Sequence, residues 1–195
     1  KHKATLCLFE SSSGISLEGV SCRAEQDHGG YRLHGKKVAV LDPESADIFL
    51  AVFRDKEGAP VIAVVSARAQ GVQASAYPLM DQTRRMGHVH FDNTPVSADD
   101  VLCRGSAAEQ AWERLLDQGD LAMTAEMSGA VDAALQITVQ YAKDRTQFGH
   151  PIGHFQAVKH PLAEVFVDLE SLRAQLTDHA LEREHQALFR LAGQH

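Results

Sequence analysis

The spacing of apolar residues changes once along this 195-residue chain, near residue 105, and that change limits the folds open to it. Before residue 105, short apolar segments alternate with clusters of Gly, Pro, Asp and Ser, which is typical of strands joined by turns. These segments are 5–9, 20–24, 31–33, 37–41, 48–53, 61–65 and 89–91. After residue 105, apolar and small residues recur every three to four positions, which is typical of helices. Strands first and helices afterwards predict an α+β fold rather than alternating βαβ units.

The strand-rich half, residues 1–104, is predicted to form one domain. Short strands at close spacing indicate a small antiparallel β-barrel or sandwich. Within it, segment 29–37 alternates apolar and polar residues between glycines, so we expect a strand, a tight turn and the next strand there. The chain opens on an apolar segment that no cap or turn precedes, and we therefore expect it to begin inside a larger architecture.

The helical half, residues 105–195, is predicted to be a second and partial domain. Ser106 is suited to cap the first helix, with Glu109 three residues later as the partner in a capping box. The Gly-His-Pro segment at 149–151 is expected to end this helix. A second helix is expected from about residue 153 to residue 176, followed by a polar tail.

Charge and cysteine content exclude several classes of function. The formal net charge is −7 and the pI is about 5.8, which opposes binding to a nucleic-acid backbone. No apolar run approaches the roughly 18 residues that span a bilayer, so no membrane partner is expected. The three cysteines, Cys7, Cys22 and Cys103, form no Cys-x-x-Cys pair, which favours reduced thiols in the cytoplasm.

Histidines are frequent just after residue 149. His150, His154 and His160 lie close enough in sequence to approach one another on a helical turn. A zinc site would need further Cys or carboxylate ligands at fixed spacing, and none stands at that spacing. We therefore expect no metal site.

The segment that joins the two predicted helices carries the most chemical information. Arg145 has a planar fork of donors that suits phosphate oxygens. Phe148 is able to stack on a flat ring, and Gln147 and Gln156 can each donate and accept hydrogen bonds. Such a corner fits a dinucleotide, and it fits equally a polar turn between two helices. On spacing alone the second reading is favoured.

Residues 141–156 read Tyr-Ala-Lys-Asp-Arg-Thr-Gln-Phe-Gly-His-Pro-Ile-Gly-His-Phe-Gln, and this stretch resembles the most recognisable motif of acyl-CoA dehydrogenases. The hairpin-like segment 31–37 and segment 81–92 resemble parts of the same family in the same order. The likeness covers roughly residues 4 to 176. In that family the Arg, Gln and Phe of the motif reach a neighbouring subunit's FAD, and the later Gln joins them. The resemblance therefore implies that Arg145, Gln147, Phe148 and Gln156 bind FAD.

The resemblance also implies an activity and partners. It implies an oxidoreductase of lipid metabolism, a flavoprotein that dehydrogenates an acyl-CoA thioester between its α and β carbons by hydride transfer to the flavin. It implies a dimer or tetramer, of like or unlike subunits, that shares FAD sites, with an electron-transfer flavoprotein as a candidate acceptor. The chain matches the family's middle β domain and the first part of its C-terminal helical domain, so we expect the N-terminal helical domain to be absent.

Three departures from the family pattern concern the reaction itself. Residues 11–14 replace the family's Pro and Gly-Ser-Asp loop, which leaves Glu10 as the matching residue. Ala39-Val40-Leu41 stands where the family has Trp-Ile-Thr against the flavin ring. The family's usual base, a Glu in a Tyr-Glu-Gly-Thr stretch, is missing from the chain. A minority of members carry the base on the first long helix, where this chain has Gly119 followed by Asp120, and Asp120 is a weak candidate for the catalytic carboxylate.

These departures leave three functions open. The first is a catalytic acyl-CoA dehydrogenase-type subunit. The second is a non-catalytic partner that contributes half of a shared FAD site, and the third is a scaffold that has lost flavin. The segments 81–85 and 125–129 are closest to members that act on bulky or unusual acyl-CoAs, some of which pair unlike subunits.

Overall fold

The computed structural model describes residues 2–10 and 16–192, and the chain divides into two compact units, Lys1–Leu115 and Leu116–His195. The first unit is built on a β-sheet and the second on two long helices, so the expected mixed α+β class is confirmed. The strands are β1 (Ala4–Cys7), β2 (Arg23–Asp27), β3 (Gly30–Leu41), β4 (Ile48–Arg54), β5 (Pro60–Ser66), β6 (Val72–Tyr77), β7 (Met86–Ser97), β8 (Val101–Arg104), β9 (Thr146–Gln147) and β10 (His150–Pro151). The helices are α1 (Ser106–Asp144) and α2 (Gln156–Ala192).

The sheet of the first unit is open, and the expectation of a closed barrel was wrong. Its strand order is β6-β7-β3-β2-β4-β5-β8, with β1 added in parallel to β4. Within the described residues β6 pairs with β7 and β8 pairs with β5, so the two end strands do not meet. A barrel requires those end strands to share a ladder of hydrogen bonds. The antiparallel expectation holds for most pairs, although β2 also meets β4 in parallel at one position.

The core of this unit forms because the sheet curls over itself. Phe49 and Phe53 of β4 meet Phe91 of β7 edge to face, with ring centroids 6.4 and 5.2 Å apart. β4 and β7 are separated by two strands in the sheet order, so these rings touch across the concave face rather than along a ladder. All three rings are buried, and edge-to-face aromatic pairs add about 0.5–1.5 kcal/mol beyond the area that they bury.

Segment 29–37 is not a strand, a turn and a second strand, as its glycines predicted. β3 runs unbroken from Gly30 to Leu41, and the turn lies before it, at His28 and Gly29. Gly35 sits inside β3 at a shift of register against β7, with φ of +131°. A Cβ at Gly35 would lie 3.0 Å from the Cα of Cys22, so this glycine permits a bulge and a close backbone approach.

The first helix begins where the sequence predicted, but a different residue caps it. The carbonyl oxygen of Gly105 accepts hydrogen bonds from the backbone N–H groups of Ala108 and Glu109, at 2.9 and 3.0 Å. Gly105 therefore occupies the cap position and Ser106 is the first helical residue, which corrects the capping role expected for Ser106. The left-handed conformation of Gly105, with φ of +57°, allows the sharp change from β8 into α1.

The second unit pairs the later part of α1 with α2. Leu135, Ala142 and Leu169 are buried in it, and Arg173 of α2 binds Asp132 of α1 at 2.8 Å. The second helix continues well past the expected end at residue 176, to Ala192. In the part of the chain that is described, no helix is long and apolar enough to cross a membrane.

Candidate functional site

The segment between α1 and α2 folds into a short β-hairpin, in which two strands of two residues each are joined by a two-residue loop. Gln147 of β9 pairs with His150 of β10, and Thr146 pairs with Pro151. The backbone of Arg145 is fixed on both sides, because its N–H donates to the carbonyl of Tyr141 and its carbonyl accepts from the N–H of Ile152, both at 2.8 Å. The side chain of Arg145 is left exposed on this anchored backbone.

Phe148 forms the tip of the hairpin in a conformation that few aromatic residues adopt. Its φ is +53° and that of Gly149 is +80°, and two positive φ angles in a two-residue loop are the mark of a type I′ turn. Phe148 is also 89% exposed. A bulky residue held in the left-handed region costs about 1–2 kcal/mol of conformational free energy. Because the ring is exposed, its burial offsets little of this cost. A strained and exposed residue is a candidate for a binding role.

A chain of four aromatic rings runs from the tip of the hairpin to its base. Phe148 meets Phe155 edge to face with centroids 6.1 Å apart, and Phe155 meets His154 at 5.8 Å. His154 and His150 are stacked, with centroids 4.6 Å apart and an angle of 21° between the rings. The spacing of the histidines alone predicted no such ring cluster. Aromatic rings placed on both sides of a Gly-x-Pro turn were the signal that could have revealed the cluster.

The two glutamines lie on either side of this ring cluster in the chain, and both are exposed. Gln147 is the last residue of β9, and Gln156 is the first residue of α2. In α2 the first N–H groups to find backbone partners are those of Val158 and Lys159, which both donate to the carbonyl of Phe155. All four predicted cofactor residues are thus exposed within twelve positions. Their binding role stays a prediction.

The electrostatic character of the hairpin region is positive. Residues 141–160 include three exposed cations, Lys143, Arg145 and Lys159, and one acid, Asp144. The amide nitrogen of Gln140 donates to both carboxylate oxygens of Asp144, at 3.0 and 2.9 Å. An excess of cations beside an exposed ring suits a ligand that combines phosphate groups with a flat ring.

The segment Ala39-Val40-Leu41, which replaces the family's Trp-Ile-Thr, lies in β3 at a second shift of register. Ala39 has φ of +53°, and its N–H donates to the hydroxyl of Tyr77 at 3.2 Å. Val40 is fully buried and Leu41 is 44% exposed. This stretch provides a small side chain, an N–H group that is already hydrogen-bonded and an aliphatic surface. It therefore provides few groups that could bind a polar ring. The 11–14 loop predicted nearby lies outside the described residues.

Glu10, the one residue that matches the family before that loop, is buried in an ion pair. Its Oε1 lies 2.7 Å from Nζ of Lys37, and its Oε2 accepts from the N–H and the hydroxyl of Ser21 at 2.9 and 2.5 Å. Burial raises the pKa of this carboxyl, but hydrogen bonds from Lys37 and Ser21 outweigh burial and lower the pKa to about 2. Glu10 is therefore a charged structural anchor for β3.

Asp120, the weak candidate for a catalytic base, lies on α1 at the edge of a cleft between α1 and α2. The cleft has a volume of about 410 Å³ and is lined by Asp117, Asp120, Leu121, Thr124, Leu172, Gln175, Leu176 and His179. Asp120 is exposed, whereas a base that abstracts a carbon-bound proton is helped by partial burial. Among the described residues no group of three or more His, Cys, Asp or Glu side chains is arranged to hold a metal ion.

Comparison with known proteins adds an independent line of evidence. The family model for the acyl-CoA dehydrogenase C-terminal domain matches residues 109–193. Acyl-CoA dehydrogenase IpdE2 of Mycobacterium tuberculosis is 34% identical over 157 residues, which are 78% of this chain and 44% of that protein. The resemblance noted in the sequence is thereby confirmed.

Solved structures agree in fold. Butyryl-CoA dehydrogenase from Megasphaera elsdenii matches with a TM-score of 0.89 and 24% identity, over 95% of this chain and 50% of that one. The Tcur3481-Tcur3483 steroid ACAD matches with a TM-score of 0.76 and 30% identity, over 94% of this chain and 48% of that one. The chain spans less than half the length of the curated relatives it matches.

Proposed function

We propose that this chain, a relative of the acyl-CoA dehydrogenases in sequence and fold, is a subunit of an FAD-dependent enzyme that dehydrogenates an acyl-CoA thioester. Its α1–α2 hairpin contacts the pyrophosphate and adenine half of an FAD that a neighbouring subunit shares. Arg145 binds phosphate oxygens, Gln147 and Gln156 provide amide contacts, and Phe148 packs on the adenine.

The observation that carries this proposal is the exposed, strained Phe148 next to an anchored and exposed Arg145. A turn that served only to connect two helices would relax with Gly or Asn at position 148. The flanking cations Lys143 and Lys159 provide the charge that a diphosphate requires. The residues of the hairpin therefore fit the adenine and diphosphate half of the cofactor.

The flavin-ring half is fitted less well by this chain. Ala39, whose N–H is engaged by Tyr77, replaces an aromatic neighbour of the ring. When bound, FAD supplies the two-electron acceptor for the β-hydride. This chain's own part is then to hold the cofactor and to provide an aliphatic surface at Leu41, with weaker contacts to the ring itself.

The α-proton of the thioester must be taken by a carboxylate base, and this chain provides a poor one. Position 119 is Gly and Asp120 is exposed at an open cleft. This observation favours a second candidate function. In it, this subunit contributes the FAD clamp, by which we mean Arg145, Gln147, Phe148 and Gln156, and an unlike partner subunit contributes the base. An acyl-CoA substrate, an oligomer that shares FAD sites and an electron-transfer flavoprotein as acceptor belong to both candidates.

The deciding experiment is a visible absorption spectrum of the purified protein, with the flavin identified after denaturation. Bound FAD supports the proposal. A colourless protein that also refuses added FAD would contradict it and favour a flavin-free scaffold. Where FAD is bound, turnover of acyl-CoA with an artificial electron acceptor separates the two candidates. Activity that disappears in Asp120→Asn favours a catalytic subunit. Activity that requires a second, Glu-bearing polypeptide favours the non-catalytic partner.

A further inference from the structure

The stacked pair His150–His154 has no role in the clamp described so far. Both residues are exposed, and their rings lie 4.6 Å apart and nearly parallel. The pair is joined through Phe155 to Phe148, the ring proposed to meet the adenine. Two imidazoles are thus held in a fixed arrangement on the same hairpin and turn as the proposed cofactor contacts.

The pairing of β9 and β10 sets the face on which His150 lies. His150 is the cross-strand partner of Gln147. Directly opposed residues of an antiparallel pair project from the same face of the ladder. His150 and the proposed amide contact of Gln147 therefore share one face, so a ligand bound by Gln147 lies beside the imidazole of His150.

The groups around the pair carry mostly positive charge. The charged and titratable groups of the adjoining elements are Lys143 and Asp144 at the end of α1, Arg145 before β9, and Lys159 and His160 in the first turns of α2. Cations outnumber the acid, and Asp144 is bound by Gln140. This excess of positive charge suits an anionic ligand beside the two rings.

A bound diphosphate favours the protonated form of a neighbouring imidazole, because its negative charge compensates the added proton. Histidine is the side chain that exchanges a proton most readily near neutral pH. We propose that the His150–His154 pair takes up a proton when a dinucleotide diphosphate binds at the hairpin, and so makes FAD affinity increase as pH falls. This inference rests on the proposed function, and it adds a pH-dependent anion contact to the site.

The test measures the affinity of the purified oligomer, freed of flavin, for FAD from about pH 8 to about pH 6. We expect binding to tighten about tenfold over this interval, as the uptake of up to one proton allows. The double variant His150→Gln/His154→Gln should bind with an affinity that changes less than about threefold. His160→Gln, which removes an exposed histidine outside the stack, is the matched control and should keep the full dependence.

A further variant separates charge from packing. His150→Phe keeps a ring against His154 but removes one site of protonation, and it should lose most of the pH dependence. If FAD binds and the double variant keeps the wild-type dependence, the inference is overturned while the proposed function stands. If His150→Phe keeps it, the proton is taken up at His154 without the ring of His150, and the inference that the stacked pair carries the dependence is equally overturned. Absence of FAD binding at every pH would overturn the proposed function, and this inference with it.

Discussion

Nζ of Lys37 lies 2.7 Å from Oε1 of Glu10, and the two side chains are 0% and 5% exposed. We expect Lys37→Met to lower the free energy of unfolding by about 3–5 kcal/mol, because it leaves a buried carboxylate without its counter-charge. The double variant Glu10→Leu/Lys37→Met should lose less than the sum of the single changes. Urea denaturation followed by circular dichroism measures each value.

The matched control for this pair is the surface pair of Arg85 and Asp42, which meet at 3.0 Å with side chains 76% and 53% exposed. Arg85→Met should cost no more than about 1 kcal/mol, because solvent screens the interaction. Equal losses for Lys37→Met and Arg85→Met would show that burial does not strengthen the Glu10–Lys37 pair.

Stability should also depend on acid through Glu10. The pKa of this carboxyl is lowered in the folded protein from its ordinary value of 4.5 to about 2. A carboxyl whose pKa is lower in the folded than in the unfolded protein stabilises the fold fully at pH values above its unfolded-state pKa. This stabilisation is lost as the pH falls through the folded-state pKa. The urea concentration at the midpoint of unfolding should therefore decrease as the pH is lowered from about 4.5 to about 2. The midpoint of Glu10→Gln should decrease less over the same interval. An identical acid profile for the two proteins would refute the assignment.

Gly35 and Gly58 form a second matched pair of positions. Both have a positive φ, of +131° and +80°, but a Cβ at Gly35 would crowd Cys22 whereas one at Gly58 has no neighbour within 4 Å. We expect Gly35→Ala to lower the free energy of unfolding by about 2 kcal/mol more than Gly58→Ala, which carries the backbone term of about 1 kcal/mol alone. Thermal and urea unfolding of both variants test the difference.

Phe148 should show opposite effects on stability and on binding. Phe148→Gly removes the strain of a φ of +53° and should leave the free energy of unfolding unchanged or raise it by up to about 1 kcal/mol. The same change should weaken FAD binding about tenfold, as expected for the loss of one ring contact. Phe148→Tyr, which keeps the ring, is the control. Wild-type affinity in Phe148→Gly would exclude a ring contact.

Arg145 should matter for the cofactor and not for the fold. Its side chain is exposed, so Arg145→Ala should change the free energy of unfolding by less than about 0.5 kcal/mol. FAD affinity should fall about 10- to 100-fold, the range for a hydrogen bond to a charged group. Lys143→Ala, which removes a neighbouring exposed cation, should have a clearly smaller effect. Fluorescence titration with FAD measures both.

The sequence predicted the features that depend on periodicity. The α+β order, most strands and the start of α1 follow from the spacing of apolar residues and from the glycines and prolines between them. β6 was not predicted, because most residues of Val72–Tyr77 are small or polar and form no apolar segment. The open edge between the end strands and the unbroken course of β3 depend on contacts distant in sequence, which no local pattern encodes.

The candidate site was predictable only as a list of residues. Arg145, Gln147, Phe148 and Gln156 were chosen by family likeness, and the sequence held no sign that Phe148 adopts a positive φ. The stacking of His150 on His154 depends on how the turn at Pro151 orients two side chains, and the buried pair of Glu10 and Lys37 joins residues 27 positions apart. Such relationships follow from three-dimensional packing and not from spacing.

The conformation of Phe148 also makes position 148 informative wherever relatives of this chain are compared. Asn and Gly are the residues that the backbone of this turn tolerates best, so the turn alone does not explain a ring at position 148. Lineages that still hold the ligand should therefore keep a ring at this position, and lineages that have abandoned it should drift to the residues that the turn itself prefers. Position 148 thus provides a marker for sorting active from relict members among the relatives of this chain.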